Sequence, residues 1–529
     1  MVLGSCQNRG KADLIILSAK VYTVDQQMSQ VEAIAIKDGK FIAVGTNQEI
    51  NDAYQSEEIL DLEGRPVYPG FIDAHCHFFG LGMNQQQADL LGTTSYEEML
   101  ERLQSFVKDN PNEFVLGRGW DQNDWEDTSY PTKEALDSLF PDTPVVLSRI
   151  DGHAYLVNQK ALDLAGITAQ TKVEGGEIVL EDGQPTGVLI DNPMALVQEI
   201  IPQIDNATAT KALLDAQQQC FQYGLTTVDD AGLSKDIIML IDSLQKEGSL
   251  DMRVYAMVSN TAADLDFFLE RGVMKTKNLH VRSVKAYADG ALGSRGAALK
   301  EPYSDQHNHF GAMVTPVSEI QKLADRLAKT DYQLNTHAIG DSANVVVLKA
   351  YEKALEGQKD RRWRVEHAQV IDKEDFHYFS DNIIPSVQPT HATSDMYWAE
   401  ERLGPQRIQG AYAYKTLLDQ AGRIALGTDF PVEYVSPFLT FYAATARKDV
   451  KGYPDSGFQA KEALSREETL KGMTIWAAYS NFEEKEKGSI EAGKWADFVI
   501  LEKDIMTIPL EEIPEMKAYK TYVAGKQVY

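Results

Sequence analysis

Residues 67–77 read VYPGFIDAHCH, an apolar run that begins around a Pro-Gly pair and ends in two histidines separated by one residue. In an extended strand, successive side chains alternate between two sides, so His75 and His77 project to the same side. Two imidazoles that point the same way at the carboxyl end of a strand can bind one metal ion. The stretch therefore predicts a strand that ends in a metal site, with Cys76 pointing away and packing in the interior.

The same histidine spacing occurs a second time, at His307 and His309 in the polar segment SDQHNHFG of residues 304–311. This segment follows no strand-like run, and polar connecting segments lie on protein surfaces. We predict a solvated loop there. The first pair is then a metal site only if other ligand residues converge on it.

The middle of the chain alternates short apolar runs with helical stretches, which is typical of βαβ units around a parallel sheet. The runs that we expect to be strands are residues 71–74, 224–229, 252–258, 281–287, 332–336, 364–367, 383–388 and 423–426. This number of runs predicts an α/β protein with a (β/α)8 TIM barrel. Because about 150 residues separate the first two runs, we predict an inserted α+β subdomain at about residues 83–215, after the first barrel strand.

Both ends of the chain are rich in β patterns. Residues 31–44 alternate around Asp38-Gly39, a strong signal for a two-residue hairpin turn, and residues 495–501 and 519–529 repeat the pattern. We therefore predict one composite β-sandwich built from both termini. The expected boundaries are residues 1–11 for a disordered start or lipoprotein-signal remnant, 12–68 with 485–529 for the sandwich, and 69–484 for the barrel.

The composition of the chain limits the kinds of molecule that the protein can bind. The 529 residues carry a formal net charge of −28, which argues against nucleic acid or an anionic membrane. No apolar run approaches the roughly 18 residues of a transmembrane segment. We expect a small-molecule substrate, and assembly into a homo-oligomer stays open.

The first residues leave two locations open. Residues 3–6, LGSC, resemble the end of a bacterial lipoprotein signal, although the charged and apolar regions of such a signal are missing. The protein is then either soluble and cytoplasmic, or a periplasmic lipoprotein anchored through Cys6 if the N-terminus is truncated.

Metal-capable side chains recur near the ends of later predicted strands. These are Lys285 in the fourth run, His337 after the fifth, His367 at the end of the sixth and Asp429 after the eighth. Barrel strands aim their C-terminal residues at a common centre. Four imidazoles and a carboxylate suit zinc or a similar divalent ion. A buried lysine near cations has a lowered pKa, which favours its reaction with carbon dioxide to a carbamate that bridges two cations.

This set of residues suits hydrolysis. Hydroxide held between two metal ions is a strong nucleophile at neutral pH, and Asp429 could take its proton and pass it to the leaving group. Each residue also has a structural explanation, such as pairing of Lys285 with Asp289 or helix capping by Asp429. The coincidence of six such residues at matching strand ends favours the metal centre.

These motifs resemble the amidohydrolase superfamily over its full pattern. Residues 69–77 resemble its first-strand motif, and the terminal β segments resemble its composite sandwich. The segments similar to the branch that contains N-substituted formamide deformylase (amidohydrolase family 3) are KAYADGALGSR at 285–295, THAIGD at 336–341 and GTDFP at 427–431.

The resemblance implies a ligand for each metal position. It assigns His75, His77 and Asp429 to one metal ion, and His337 and His367 to a second. Lys285, carboxylated at N6, would bridge the two ions. Whether the centre holds one or two ions, expected to be Zn²⁺, stays open.

The expected substrate contacts are Trp120, His153, Arg295 and His391. Trp120 lies in the Gly-rich segment GRGWDQNDW, where it is equally suited to a subdomain core. His153 could polarise a carbonyl or fix a turn, and Arg295 could bind a carboxylate or pair with Asp289. His391 follows the seventh strand.

The sequence thus predicts a metal-dependent amidohydrolase that cleaves a non-peptide C–N bond, in an amide, formamide or N-acyl group, by attack of metal-bound hydroxide. Two alternatives remain. One is an ester or lactone hydrolase that uses the same site. The other is a non-catalytic metal-binding lipoprotein.

Overall fold

The computed structural model describes residues 9–150, 152, 154–173, 176–202 and 204–529. Cys6 and His153, both singled out from the sequence, lie outside these residues. Contacts divide the chain into two compact units: one extends to residue 78 and resumes at 217–529, and the other comprises residues 79–216.

Eight parallel strands form a nearly closed barrel in the first unit. They are Phe71–Cys76 (β1), Leu225–Leu233 (β2), Arg253–Ser259 (β3), Leu279–Tyr287 (β4), Gln333–Ala338 (β5), Trp363–His367 (β6), Ile383–Val387 (β7) and Ala425–Leu426 (β8). Each pairs in parallel with the next, so the predicted barrel and its eight runs are confirmed. The segment after β8 meets β1, since the Asp429 N–H donates to the His75 carbonyl at 2.7 Å.

Helices follow the barrel strands and cover their outer faces, as βα units require. The helices of this unit are Lys235–Glu247, Ala262–Arg271, Val317–Leu327, Asp341–Ala354, Pro389–Asp395, Ala399–Arg407, Tyr414–Ala421, Pro437–Ala446, Arg466–Gly472 and Ile475–Ser480, with Asn47–Ala53 near the N-terminus. Local signals set their ends. The Ser234 hydroxyl caps the first of them by accepting from the Ile237 N–H, and Gly248 ends it in the left-handed conformation.

The two chain ends form two facing sheets. One contains Leu14–Leu17, Ala33–Lys37, Lys40–Gly45 and Glu58–Asp61, and the other contains Lys20–Tyr22, Gln30–Val31, Pro66–Pro69, Phe498–Ile500, Lys520–Val523 and Lys526–Gln527. Apolar side chains of both sheets, including Ile34 and Phe498, share one core. The predicted turn at Asp38-Gly39 is confirmed, because both residues have positive φ, as a type I′ hairpin turn requires.

The second unit contains a six-stranded mixed sheet. Its strands are, in spatial order, Ala88–Asp89, Val115–Trp120, Val145–Arg149, Ala154–Val157, Gln184–Asp191 and Gly176–Glu181. Its helices include Tyr96–Asp109, Glu134–Leu139, Gln159–Ala165 and Met194–Gln198, while Phe78–Asn84 and Asn206–Gln222 lie at its boundaries. Across the described ranges of both units, no helix has the length and apolar character needed to span a membrane.

Candidate metal centre

The six residues selected as metal ligands lie together at the carboxyl ends of the barrel strands. The Asp429 Oδ1 atom is 3.2 Å from His77 Nε2 and 3.6 Å from His75 Nε2. Potential ligand atoms of His75, His367 and Asp429 all lie within 4.8 Å of one another. The ring centres of His337 and His367 are 4.5 Å apart, and Lys285 Nζ is 3.0 Å from His75 Nε2.

Two of the histidines have a second hydrogen-bond partner that orients the ring. His75 Nδ1 is 2.5 Å from Glu366 Oε2, and His367 Nδ1 is 2.7 Å from Gln388 Oε1. Both partner oxygens are acceptors, so each imidazole carries its proton on Nδ1 and keeps the lone pair of Nε2 available. Oriented neutral imidazoles of this kind are typical of metal ligands in proteins.

Burial keeps these imidazoles neutral. It lowers the pKa of His75 to about 4 and that of His337 to about 3, with the nearby Lys285 adding to both effects. The pKa of His367 is also well below its usual value, because the ring is buried beside His337 and His75. A neutral imidazole offers a metal ion a free lone pair, so these shifts favour metal binding over protonation.

Lys285 and Asp429 also have pKa values shifted from their usual ones. Burial lowers the pKa of Lys285 to about 8, although the carboxylates of Glu366 and Asp429 oppose the shift. Burial by itself would raise the pKa of Asp429, but the neighbouring His77, His75 and His367 hold it well below the usual range. Asp429 is therefore an ionised carboxylate at neutral pH.

Buried atoms of this cluster lack hydrogen-bond partners within the described part of the chain: His337 Nε2, His391 Nε2 and Asp429 Oδ1. A buried polar atom without a partner costs about 1–3 kcal/mol. A divalent cation accepts lone pairs from nitrogen and carboxylate oxygen, so it would satisfy these atoms. The residues present fit a metal ion.

The backbone is strained at two of the candidate ligands. His367 has φ +71° and Asp429 has φ +62°, a left-handed conformation that non-glycine residues seldom adopt. Such strain persists only where the surroundings enforce it, and it is frequent at functional sites. His367 is the last residue of β6, and Asp429 lies three residues after the end of β8.

Asp73, inside the first-strand motif, joins the two ends of the barrel. Its Oδ1 accepts hydrogen bonds from the Thr428 N–H at 3.0 Å and the His75 N–H at 3.2 Å, and its Oδ2 accepts from the Thr428 hydroxyl at 2.7 Å. Burial raises the pKa of this carboxyl to about 7. Asp73 thereby holds His75 and the residue before Asp429 next to each other.

Comparison with known proteins identifies the family. The sequence model that describes the amidohydrolase family matches residues 58–529 of this chain. The chain belongs to the amidohydrolase family. It is 33% identical to the YtcJ protein of Bacillus subtilis, over 96% of this chain and 98% of YtcJ. It is 28% identical to N-substituted formamide deformylase of Arthrobacter pascens, over 97% of each chain.

A solved structure agrees with this assignment. The crystal structure of an uncharacterised metal-dependent hydrolase from Pyrococcus furiosus superposes with a TM-score of 0.79 and 28% sequence identity, covering 93% of this chain and 100% of the other. Family membership, this similarity and the buried cluster of ligand residues together make the protein a metal-dependent hydrolase.

Two of the expected substrate contacts of this amidohydrolase lie in the same unit as the metal centre. His391 belongs to the helix Pro389–Asp395, and its Nε2 is 3.7 Å from Asp429 Oδ2, with the ring stacked near His367. Arg295 lies farther along the loop after β4. Its guanidinium pairs with Asp305 at 2.7 Å.

Asp289 has a different role from the alternatives considered for it. Its carboxylate accepts hydrogen bonds from the backbone N–H groups of Ala298, Ile339 and Gly340. The structure does not pair Asp289 with Lys285 or Arg295, because Lys285 Nζ lies beside His75 Nε2 and Arg295 pairs with Asp305. Asp289 instead fixes the loops that follow β4 and β5.

The structure also places Trp120, the second histidine pair and Cys76. Trp120 is fully buried in the core of the unit of residues 79–216, where its Nε1–H donates to the Leu147 carbonyl at 2.9 Å, so the structure gives it a packing role. The loop prediction for His307 and His309 is confirmed, since both lie outside helices and strands. His307 is exposed in a turn, whereas His309 is half-buried with its Nε2 2.9 Å from the Arg295 carbonyl oxygen. Cys76 is buried and its thiol contacts the Asp229 carbonyl at 3.5 Å, as predicted.

Several residues around the candidate centre were not predicted from the sequence. Glu366 and Gln388 orient ligands, and Tyr287, 45% exposed, places its ring centre 5.6 Å from that of His337. One signal was available: a charged residue within a short buried strand, such as Glu366, requires a specific partner.

Proposed function

We propose that this amidohydrolase hydrolyses a C–N bond in a small-molecule amide, formamide or N-acyl compound, with Zn²⁺ as the metal. The observation that carries the proposal is the buried cluster of His75, His367 and Asp429 at the carboxyl face of the barrel. The relative from Arthrobacter pascens, named as a formamide deformylase, supports the C–N class.

Each residue has a defined part in this proposal. His75, His77 and Asp429 would hold one ion, and His337 and His367 a second. When bound, the ions supply Lewis acidity toward the substrate carbonyl and lower the pKa of water. Asp429 accepts a proton on its carboxylate and returns it to the leaving nitrogen. His391, next to Asp429 Oδ2, contacts the substrate.

Carboxylation of Lys285 belongs to the same proposal. Its Nζ lies 3.0 Å from His75 Nε2, and burial lowers its pKa to about 8, so a part of the population carries a neutral amine. The amine lone pair forms a bond to the carbon of carbon dioxide while one C–O π bond opens onto its oxygen, and the proton that the nitrogen loses passes to water. The resulting carbamate has the two oxygens needed to bridge two cations.

The proposal extends to the other expected substrate contacts, each of which has a condition in the structure. Arg295 would have to exchange Asp305 for a substrate carboxylate. Trp120 would contact substrate only if its buried ring became accessible. His153 lies outside the described residues.

A substrate panel combined with the Asp429→Asn variant tests the proposed function. We expect the zinc-loaded wild type to hydrolyse amides, formamides or N-acyl amines faster than matched esters and lactones. Asp429→Asn should lower kcat by about 10²–10⁴-fold, the usual contribution of a general acid–base. The matched control is Asp381→Asn, because the Asp381 carboxylate is exposed and pairs with Arg423.

Three other results of this experiment would change the proposed function. Normal turnover in Asp429→Asn refutes the proton shuttle. Preferential cleavage of esters or lactones replaces the proposed bond class. Zinc binding without turnover of any compound supports a non-catalytic metal-binding protein.

A further inference from the structure

We propose that Glu366 is a positioning residue that, held by Arg364, fixes His75 as a metal ligand through Nε2. This inference rests on the proposed metal centre. It concerns side chains that bind no metal themselves, inside the barrel at the level of β1 and β6.

The contact between Glu366 and His75 is short and fully buried. Glu366 Oε2 lies 2.5 Å from His75 Nδ1, and neither side chain is exposed to solvent. An ionised carboxylate can only accept, so His75 must carry its proton on Nδ1. Its Nε2 then presents a lone pair toward the space between Lys285 Nζ, at 3.0 Å, and Asp429 Oδ1, at 3.6 Å.

Arg364 provides the charge that allows Glu366 to stay ionised away from water. Its Nε is 2.7 Å from Glu366 Oε1, and its Nη1 is 2.8 Å from Asp229 Oδ2. Burial by itself would raise the pKa of Glu366, but Arg364 and His75 hold it well below the usual range.

Further contacts prevent Arg364 from moving. Its Nη2 donates to the Ala74 carbonyl on β1 and, at 3.1 Å, to the Ser386 hydroxyl on β7. The other Asp229 oxygen accepts from Asn481 Nδ2 at 2.7 Å. The carboxylate that orients His75 is therefore connected, directly or through Arg364, to four barrel strands, and its position depends on how these strands pack together.

His75 and His367 differ in the group that accepts the hydrogen bond from Nδ1–H. The Nδ1–H of His367 donates to a neutral amide oxygen, that of Gln388. A carboxylate raises the basicity of an imidazole ligand more than an amide does, because its full negative charge stabilises positive charge on the ring. Loss of the Glu366 charge should therefore weaken metal binding through His75.

The test is Glu366→Gln, which keeps the shape of the side chain and removes its charge. We expect zinc affinity, measured by competition with a chromophoric chelator, to fall about 10–100-fold. We expect kcat to fall while KM changes little, since Glu366 acts on a ligand and not on substrate.

The chain offers a matched control in Glu483. This carboxylate is also buried, with Oε1 3.4 Å from His280 Nδ1 and Oε2 2.7 Å from Lys487 Nζ, and it contacts none of the predicted metal ligands. Glu483→Gln therefore removes a buried carboxylate from a histidine elsewhere in the same unit. It should lower the thermal unfolding midpoint and leave zinc affinity unchanged.

A second variant keeps the inference falsifiable if Glu366→Gln does not fold, as judged by circular dichroism. Glu366→Asp retains the negative charge beside Arg364 but withdraws it from His75, and it should also lose zinc affinity. Zinc affinity equal to the wild type in either folded variant overturns the inference alone. Absence of zinc binding by the wild-type protein overturns the proposed function and this inference with it.

Discussion

Gly427 illustrates how a residue without any ligand atom determines where the ligands lie. A Cβ atom at this position would lie 2.5 Å from the His75 nitrogen and 2.8 Å from Asp73 Oδ1. Both neighbours belong to the hydrogen-bonded junction between β1 and the segment after β8, and neither can move without shifting His75. The absence of a side chain at Gly427 lets the two ends of the barrel approach closely enough to bring His75 and Asp429 together.

Gly427→Ala should therefore damage both stability and metal binding. We expect a loss of about 1–3 kcal/mol, typical of overpacking, seen as a lower thermal unfolding midpoint. Elemental analysis should show less bound zinc than in the wild type. Gly296→Ala is the control, because its added Cβ would have no neighbour closer than 3.4 Å. Full zinc content in Gly427→Ala would show that the close approach is not needed.

At the scale of elements, one buried ion pair joins the barrel to the β-sandwich within the same unit. Arg253 on β3 donates from Nε at 2.6 Å and from Nη2 at 2.9 Å to the carboxylate of Asp497, next to the strand Phe498–Ile500. The same carboxylate accepts from the Ala524 N–H, and the Asp497 carbonyl accepts from the Gly70 N–H. The pair thus fixes the C-terminal segment beside the entry to β1.

Replacing one residue of this pair should lower the free energy of unfolding by more than replacing both residues together. Asp497→Asn leaves the Arg253 charge buried without a carboxylate, so we expect a loss of about 3–5 kcal/mol in the free energy of unfolding. The double variant Arg253→Met with Asp497→Asn should recover part of that loss. The exposed pair of Arg423 and Asp381 is the reference, since breaking it should cost less than about 1 kcal/mol. Equal losses for the buried and exposed pairs would contradict this role.

At the scale of the whole molecule, metal binding and folding are linked. Several strands from distant parts of the chain carry the proposed ligands, so an ion held by these residues would bind only the folded barrel. Such binding stabilises the native state by about 2.7 kcal/mol when free metal is one hundred times its Kd.

Chelation should consequently lower both activity and stability. Treatment with a chelator should abolish hydrolysis and lower the thermal unfolding midpoint measured by calorimetry, and added zinc should restore both. Protein expressed with zinc and bicarbonate should contain about two ions per chain by elemental analysis. A value near one ion per chain would contradict the binuclear centre bridged by Lys285.

Much of this architecture was predictable because its signals are local. Apolar runs of strand length, the Asp38-Gly39 turn and the positions of His75, His337 and His367 at strand ends all depend on neighbouring residues. The barrel was therefore predictable from periodicity and spacing, and the proposed ligands from their place within each βα unit.

Other features required the three-dimensional structure. The support of His75 by Glu366 joins residues 291 positions apart in the chain. The pairing of Arg295 with Asp305 and the burial of Trp120 depend likewise on how loops and strands pack. Alternation within one strand tells which side a residue faces, but not which side chain of another strand it meets. That choice follows from the register between strands and from closure of the barrel, and both arise only when the whole unit folds.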